Sequence, residues 1–287
     1  MTKAVKLGQN FLVDKNIANK IVGEFLPQTA GGNLRGPTSR SLGTGGPVLE
    51  IGSGPGILSE MLLGKIPAAQ LTLVEIDPFL VQNLRQRFGS QIQIIEKNIL
   101  DIDLARLFLQ KQVGIIGNLP YHISKDLIDW FIAQRLYIHT AVLMLQKDFV
   151  DKLLFCPGGQ HPAGGAKKYN AQSVVFQLLF QARRRFNVSP GSFMPRPKIM
   201  STVLAVSPTP APPAAASVEF YDFVRLSFSE RRKTLWNNLA SRFGREALSA
   251  LIAASGLSPQ TRAEQLPPER FLSLWVSAGN IPGKDGR

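Results

Sequence analysis

Val48-Leu49-Glu50-Ile51-Gly52-Ser53-Gly54-Pro55-Gly56-Ile57 sets the terms on which the rest of this chain is read. A short strand-like run, Val48–Ile51, meets three glycines at alternate positions, and a helix-like segment, Leu58–Leu63, follows. Glycine lets a turn adopt positive φ and lets a ligand reach the backbone without meeting a Cβ. In an open parallel sheet, nucleotides bind beside the first such strand-to-helix turn. Taken alone, the glycine pattern suits a tight structural turn as well.

The next segment raises its meaning. Leu71-Thr-Leu-Val-Glu75-Ile-Asp77 is a second strand ending in acid, with Glu75 placed 23 residues after Gly52. A carboxylate at the tip of strand two accepts the ribose hydroxyls of an adenosine moiety. The dinucleotide fingerprint is G-x-G-x-x-G, whereas Gly52, Gly54 and Gly56 are more closely spaced. Glu50, two residues before the first glycine, is typical of S-adenosylmethionine sites, although a capping or surface acid fits that position too. S-adenosylmethionine is the expected cofactor.

Beyond this pair the alternation continues. Ile92–Ile95, Val113–Ile116 and Thr140–Leu145 are short apolar runs separated by helix-length amphipathic stretches, the pattern of βαβ units and a parallel sheet buried on both faces. Upstream, residues 10–27 carry a helix-like pattern (Ile17, Ile21, Val22, Phe25, Leu26) that stops at Pro27, and residues 28–47 read as a Gly/Thr/Ser/Pro loop. Downstream, β-like pieces near Arg184–Val188 and Thr202–Val206 are expected to pair as a hairpin at one sheet edge. Ser207–Ala216 then has four prolines in ten residues and reads as a semi-extended linker. Residues 217–278 read as helical throughout, with Phe220, Phe223, Val224, Leu235, Leu239, Phe243 and Leu251 among the apolar positions. The expected fold is α/β, a Rossmann-like methyltransferase sheet with a small all-helical C-terminal domain. Its expected parts are 1–206, the Pro/Ala-rich linker 207–216, and a basic helical domain 217–287.

Composition narrows the class. The 287 residues are 44% hydrophobic, enough for a full core and against disorder over most of the chain. No apolar run approaches the roughly 18 residues of a membrane span, and Met1–Gly8 lacks a signal-peptide stretch. The single cysteine, Cys156, cannot build a disulfide framework or structural zinc site, and His139 and His161 lack metal-ligand company. A cytoplasmic protein without metal is expected. The net charge is +13, of which residues 181–245 hold +8. Clustered cations displace counterions from phosphate backbones, so a polyanion partner is one reading and a solvated basic face the other. Arg183, Arg184 and Arg185 form one cluster, and Arg231, Arg232 and Lys233 the other.

The chemistry is expected at Val113-Gly-Ile-Ile-Gly117-Asn118-Leu119-Pro120-Tyr121. There a strand ends in a side-chain amide, a free carbonyl and an aromatic ring. An adenine amine is conjugated and weakly nucleophilic. Two acceptors, the Asn118 oxygen and a main-chain carbonyl near Pro120, would hold both amine hydrogens and turn the nitrogen toward tetrahedral geometry. Tyr121 could stack on the base. The electrophile is already activated by positive sulfur, so orientation and desolvation matter more than a strong base.

With these residues in hand, the chain resembles the ribosomal RNA adenine N6,N6-dimethyltransferases, in particular the small-subunit group linked to kasugamycin sensitivity. The matches run nearly end to end: Leu7–Asp14, Glu50–Gly56, Val74–Asp77, Asn118–Ser124, Leu145–Asp148, Ser192–Lys198, Phe228–Leu235 and Arg262–Leu266. The resemblance implies that Asn10 and Leu12 contact the cofactor from the N-terminal segment. It implies that Gly52, with Gly54, approaches the methionine side, Glu75 the ribose, and Asn118 the methyl and target amine. Leu119 and Pro120 complete the catalytic motif. Phe193 is implied to sandwich a flipped adenine against Tyr121, since the amine must reach an enclosed pocket.

The pattern also departs from the family. Asn98 stands where an Asp usually bonds the cofactor's adenine amine, and its amide oxygen is expected to keep that contact without the charge. His122 replaces a common Asn and reads as a surface or supporting group. The loops 28–47 and 157–168 are expanded. The implied partner is small-subunit ribosomal RNA or a 30S assembly intermediate, met by a monomer. The alternatives are a large-subunit antibiotic-resistance methylase and a non-catalytic RNA-binding assembly or transcription factor of the same fold. Phe193–Lys198 and Arg231–Leu235 favour the small-subunit group over the first, and the intact Gly52–Gly56 and Asn118–Tyr121 argue against the second.

Overall fold

A computed structural model describes residues 9–26, 46–158, 169–240 and 242–279. The expanded loops expected at 28–47 and 157–168 lie almost wholly outside these residues, as do His161 and the chain beyond 279. The chain divides into two units, 1–150 with 182–208, and 151–181 with 209–287.

The first unit is built on a seven-stranded sheet. Its strands are β2 (Val48–Ile51), β3 (Leu71–Glu75), β4 (Gln93–Glu96), β5 (Val113–Asn118), β6 (Ile138–Gln146), β7 (Phe180–Val188) and β9 (Ser201–Pro208), in the order β4-β3-β2-β5-β6-β9-β7. All five apolar runs became parallel strands in register, and each strand of the central pair β2 and β3 is buried throughout. β9 runs antiparallel to β6, with Met144 opposite Val203. The two late β-like pieces are neighbours as expected, but β9 is interior and only β7 forms the edge. The chain leaves β2 toward β3 on one side and β5 on the other. That reversal opens a crevice at the carboxyl ends of β2 and β5.

The N-terminal segment departs from its expected helix. Residues Phe11–Leu12 form β1, which pairs with β8 (Phe193–Met194) as a separate two-stranded ribbon. Helix α1 (Lys15–Phe25) begins only after Asp14, whose carboxylate accepts from the backbone N–H groups of Asn16 and Ile17. Ala18, Ile21, Val22 and Phe25 are the buried stripe of α1, and they join Leu12, Val48, Leu62, Val142 and Phe193 in one core. At about 1.5–3 kcal/mol for each large apolar side chain buried, this stripe outweighs the cap energetically, while the cap sets where the helix starts. On the same face of the sheet lies α2 (Ile57–Leu63), while α3 (Pro78–Phe88), α4 (Leu104–Leu107) and α5 (Ser124–Gln134) supply the other crossovers. Helix α6 (Lys147–Leu153) follows β6.

The second unit corrects the expected boundaries. Its helices are α7 (Ala171–Leu179), α8 (Val218–Ser227), α9 (Leu235–Leu239), α10 (Arg245–Ser255) and α11 (Pro268–Gly279). Residues 151–181, expected in the first domain, belong here because α7 buries Val174, Val175, Phe176 and Leu179 against α8 and α11. The expected linker is not a free connector. Ser207 and Pro208 finish β9, Thr209 N–H donates to the Leu179 carbonyl, and Pro213–Ala216 form a 3-10 turn with Ala215 buried. Proline at the first position of such a turn gives up an N–H that would have no partner anyway. Phe220, Phe223 and Phe271 are fully buried, and Phe228 stacks on Phe271 at 5.5 Å. Helix α9 ends at Leu239, and Phe243 beyond it is still buried against the Phe223 ring.

Candidate active site

The crevice at the carboxyl ends of β2, β3, β4 and β5 is lined by nearly every residue the sequence singled out there: Gly52, Gly54, Glu75, Asn98, Asn118, Leu119, Pro120 and Tyr121, joined by Asn10 from the N-terminal segment. Gly52, Gly54 and Gly56 all have positive φ, so the tight turn demands glycine at each. Two of them are also sterically closed. A Cβ on Gly54 would meet the Phe11 ring at 3.0 Å, and one on Gly56 would meet Leu84 and Phe88 at 2.9 Å. The Gly52 position is the least crowded of the three, with ordinary contacts to the Asn118 carbonyl at 3.7 Å and Pro120 Cδ at 3.9 Å.

Glu75 is buried and holds the turn from below. Its Oε2 accepts from Gly54 N–H at 2.9 Å, and its Oε1 accepts from the N–H groups of Ile76 and Asp77 at 2.8 and 3.0 Å. Three of the four lone-pair sites of the carboxylate are thereby used, leaving one on Oε2 for a ligand hydroxyl. Glu50 behaves differently from its expected place in a cofactor site. It does not line the crevice; it lies buried beneath it, accepting from Ser59 Oγ at 2.7 Å, and burial pushes its carboxyl up to about 8.

Asn118 is fixed by its partner. Its Nδ2 donates to the Asn10 carbonyl at 3.1 Å. A carbonyl only accepts, so the amide cannot be turned the other way, and Oδ1 is the atom left to accept from a ligand amine. Leu119 N–H donates to the Met144 carbonyl, which anchors the motif to β6. The Pro120 carbonyl already accepts from Ile123 N–H at 3.3 Å. Tyr121 is half-buried, and its hydroxyl shares a 2.8 Å hydrogen bond with Ser201 Oγ at the start of β9. Burial raises the phenol above its ordinary value, so the ring stays neutral and is held by its far end.

Asn98 lines the crevice with its amide oxygen already partly engaged. The amide oxygen expected to take an adenine amine already accepts from Leu100 N–H at 3.1 Å, capping the 3-10 turn Ile99–Asp101. Only its second lone pair, or the Nδ2 donor, remains for a ligand. Two further expectations do not find their residues in the crevice. Leu12 and Phe193 face each other across the β1–β8 ribbon and are buried in the core at 3% and 4% exposure. The strand pairing turns both side chains away from the face that carries Phe11, which does line the crevice. Sequence reasoning missed Phe11, along with Gln9, Ile51, Val74, Ile76, Lys97, Ile99 and Ile123. Phe11 and Gln9 sit within the Leu7–Asp14 motif, and period-two alternation from Leu12 would have found Phe11. His122 is an exposed rim residue.

The expected cations have varied surroundings. Arg183, Arg184 and Arg185 are exposed on β7, and Arg185 pairs with Glu24 at 2.7 Å. Arg231 donates through Nη2 to the Tyr169 carbonyl at 2.9 Å, and Lys233 pairs with Glu230 at 2.6 Å; Arg232 is exposed. Among the described residues, no group of three or more His, Cys, Asp or Glu is placed to hold a metal, and no helix is long and apolar enough to cross a membrane.

The model for ribosomal RNA adenine dimethylases matches residues 1–278. The chain belongs to this family. A Geobacter metallireducens protein named ribosomal RNA small subunit methyltransferase A is 37% identical, over 97% of this chain and 96% of its own. The Rhodospirillum rubrum protein of that name is 35% identical over 93% and 85%. Among solved structures, the 23S rRNA methyltransferase ErmE superposes with a TM-score of 0.65 at 22% identity, covering 94% of this chain and all of the other. A dimethyladenosine transferase from Plasmodium falciparum gives 0.67 at 21% identity, over 94% and 98%. At such identities the two structures speak for the fold.

The dimethylase crevice fits S-adenosylmethionine. The turn is least crowded at Gly52, Glu75 keeps an acceptor for a hydroxyl, and Gln9 Oε1 is buried without a hydrogen-bond partner at the crevice wall. When bound, that cofactor supplies an electrophilic methyl on positive sulfur. The chain's own side chains at this crevice include the Asn118 amide, the Tyr121 ring and the apolar groups of Leu119, Ile51 and Val74.

Proposed function

We propose that this dimethylase places two methyl groups on each of two adjacent adenines near the 3′ end of small-subunit ribosomal RNA, as a monomer acting on an assembly intermediate in the cytoplasm. The observation that carries the chemistry is Asn118, a crevice-lining amide whose Nδ2 donates to the Asn10 carbonyl, leaving Oδ1 as its acceptor. An acceptor so oriented suits an amine that must offer its lone pair while its hydrogens are held. Support for the small-subunit target comes from relatives of that name at 37% and 35% identity along almost the whole chain.

In this reading Gly52 borders the methionine portion of the cofactor, Glu75 takes a ribose hydroxyl on its remaining lone pair, and Asn98 meets the base edge. Asn118→Ala tests the central role. It keeps the fold and lowers the single-turnover rate of methyl transfer to undermethylated small subunits about 10²- to 10³-fold, the effect of removing one preorganised polar group. A rate close to that of the unaltered protein would remove Asn118 from the mechanism.

A further inference from the structure

The β1–β8 ribbon turns an apolar face to solvent at the lip of the crevice. Phe11 and Met194 are direct partners in an antiparallel pair, so their side chains share one face, while Leu12 and Phe193 share the other and enter the core. Pairing continues one residue on, where Val13 N–H donates to the Ser192 carbonyl at 2.9 Å; Val13 therefore follows Phe11 on the outer face. Phe11 lines the crevice, so Val13 and Met194 extend its wall outward. Met194 is 68% exposed and Val13 49%. Exposed apolar side chains joined to a binding site mark a surface that another molecule covers.

We propose that Met194, with Val13 beside it, is the ledge on which the nucleotide next to the extruded adenine stacks. The proposal rests on the functional reading above. Flipping one base out of a strand leaves its neighbour without a stacking partner, and apolar side chains fill such gaps in nucleic-acid complexes. Methionine suits the task because its unbranched thioether is polarizable and conforms to a flat ring. The charge around the ledge agrees with a nucleic-acid strand. Arg196 and Lys198 lie two and four residues after Met194 and are both exposed, whereas Pro197 between them is buried. Bases would then lie on the apolar ledge while the backbone runs along the two cations.

The test uses the full chain and undermethylated small subunits. Met194→Ser raises KM for the subunits about fivefold, the scale of one lost stacking contact, and leaves S-adenosylhomocysteine affinity unchanged by calorimetry. Met194→Leu restores KM. The log–log slope of KM against salt is the same in Met194→Ser as in the unaltered protein, because no cation is lost, whereas Arg196→Ser lowers it. Leu109→Ser, at an exposed apolar residue outside the ribbon, serves as the control with unchanged KM. An active unaltered protein whose KM survives Met194→Ser overturns the ledge alone. An unaltered protein that transfers no methyl to any ribosomal RNA overturns the ledge together with the functional reading.

Discussion

Glu50 and Glu75 are both buried carboxylates at strand ends, and they differ in what surrounds them. Glu75 accepts three backbone N–H groups and knits the glycine turn to the tip of β3. Glu50 has one hydroxyl partner, and desolvation pushes its carboxyl to about 8. In the unfolded chain the same group loses its proton near its ordinary value of 4.5. Between these two values the unfolded chain binds fewer protons than the folded one, so stability falls as pH rises, by up to about 1.4 kcal/mol per pH unit. Glu50→Gln keeps an acceptor for Ser59 and removes the titration. Denaturant melts from pH 5 to 8 should show the variant gaining on the unaltered protein as pH rises; parallel curves would contradict the assignment. The placement of Asn118 and Glu75 at the crevice and the need for three glycines were legible in sequence because each follows from residue type and spacing. The Glu50 role was not, since which acid at a strand end lines the crevice depends on what packs beneath the turn. Leu12 and Phe193 escaped for a related reason: their burial is set by a two-residue strand pairing across 181 positions, which no local pattern announces.

At the scale of elements, all five parallel strands could be read from their apolar runs, and so could the crevice at their carboxyl ends. The start of α1 could not, because the apolar periodicity spills upstream of the point where Asp14 stops the strand and starts the helix. That carboxylate also accepts from Ser192 Oγ at 3.3 Å, so one side chain ties the helix start to the residue preceding β8. Asp14→Ala is therefore expected to cost about 1 kcal/mol, and Asp14→Asn much less, in equilibrium unfolding. Equal losses in the two variants would show that charge rather than capping matters there. The membership of α7 was illegible in the same sense. Its sequence has no compositional break from the strands around it, and only the burial of Val174, Val175, Phe176 and Leu179 against later helices assigns it to the second unit.

Across the whole molecule, the +13 charge first allowed either a nucleic-acid partner or plain solubility. The structure divides the clustered cations by task. Arg183, Arg184 and Arg185 lie on an edge strand, where charge also discourages pairing with another sheet edge. All three members of the second triplet are exposed; Arg231 and Lys233 already have partners within their unit. Neutralising Arg231, Arg232 and Lys233 together should weaken binding to small-subunit RNA and flatten its salt dependence, with S-adenosylhomocysteine affinity retained. Arg232→Gln alone should account for most of the change in slope, and an unchanged slope in the triple variant would remove this face from the RNA contact. The central claim concerns where the methyl groups go. Incubating the protein with labelled S-adenosylmethionine and either undermethylated small subunits or large-subunit RNA, then mapping the label, tests it most directly. The account predicts dimethyladenosine at two adjacent positions near the 3′ end of the small-subunit RNA; label on large-subunit RNA alone, or on neither, would contradict it.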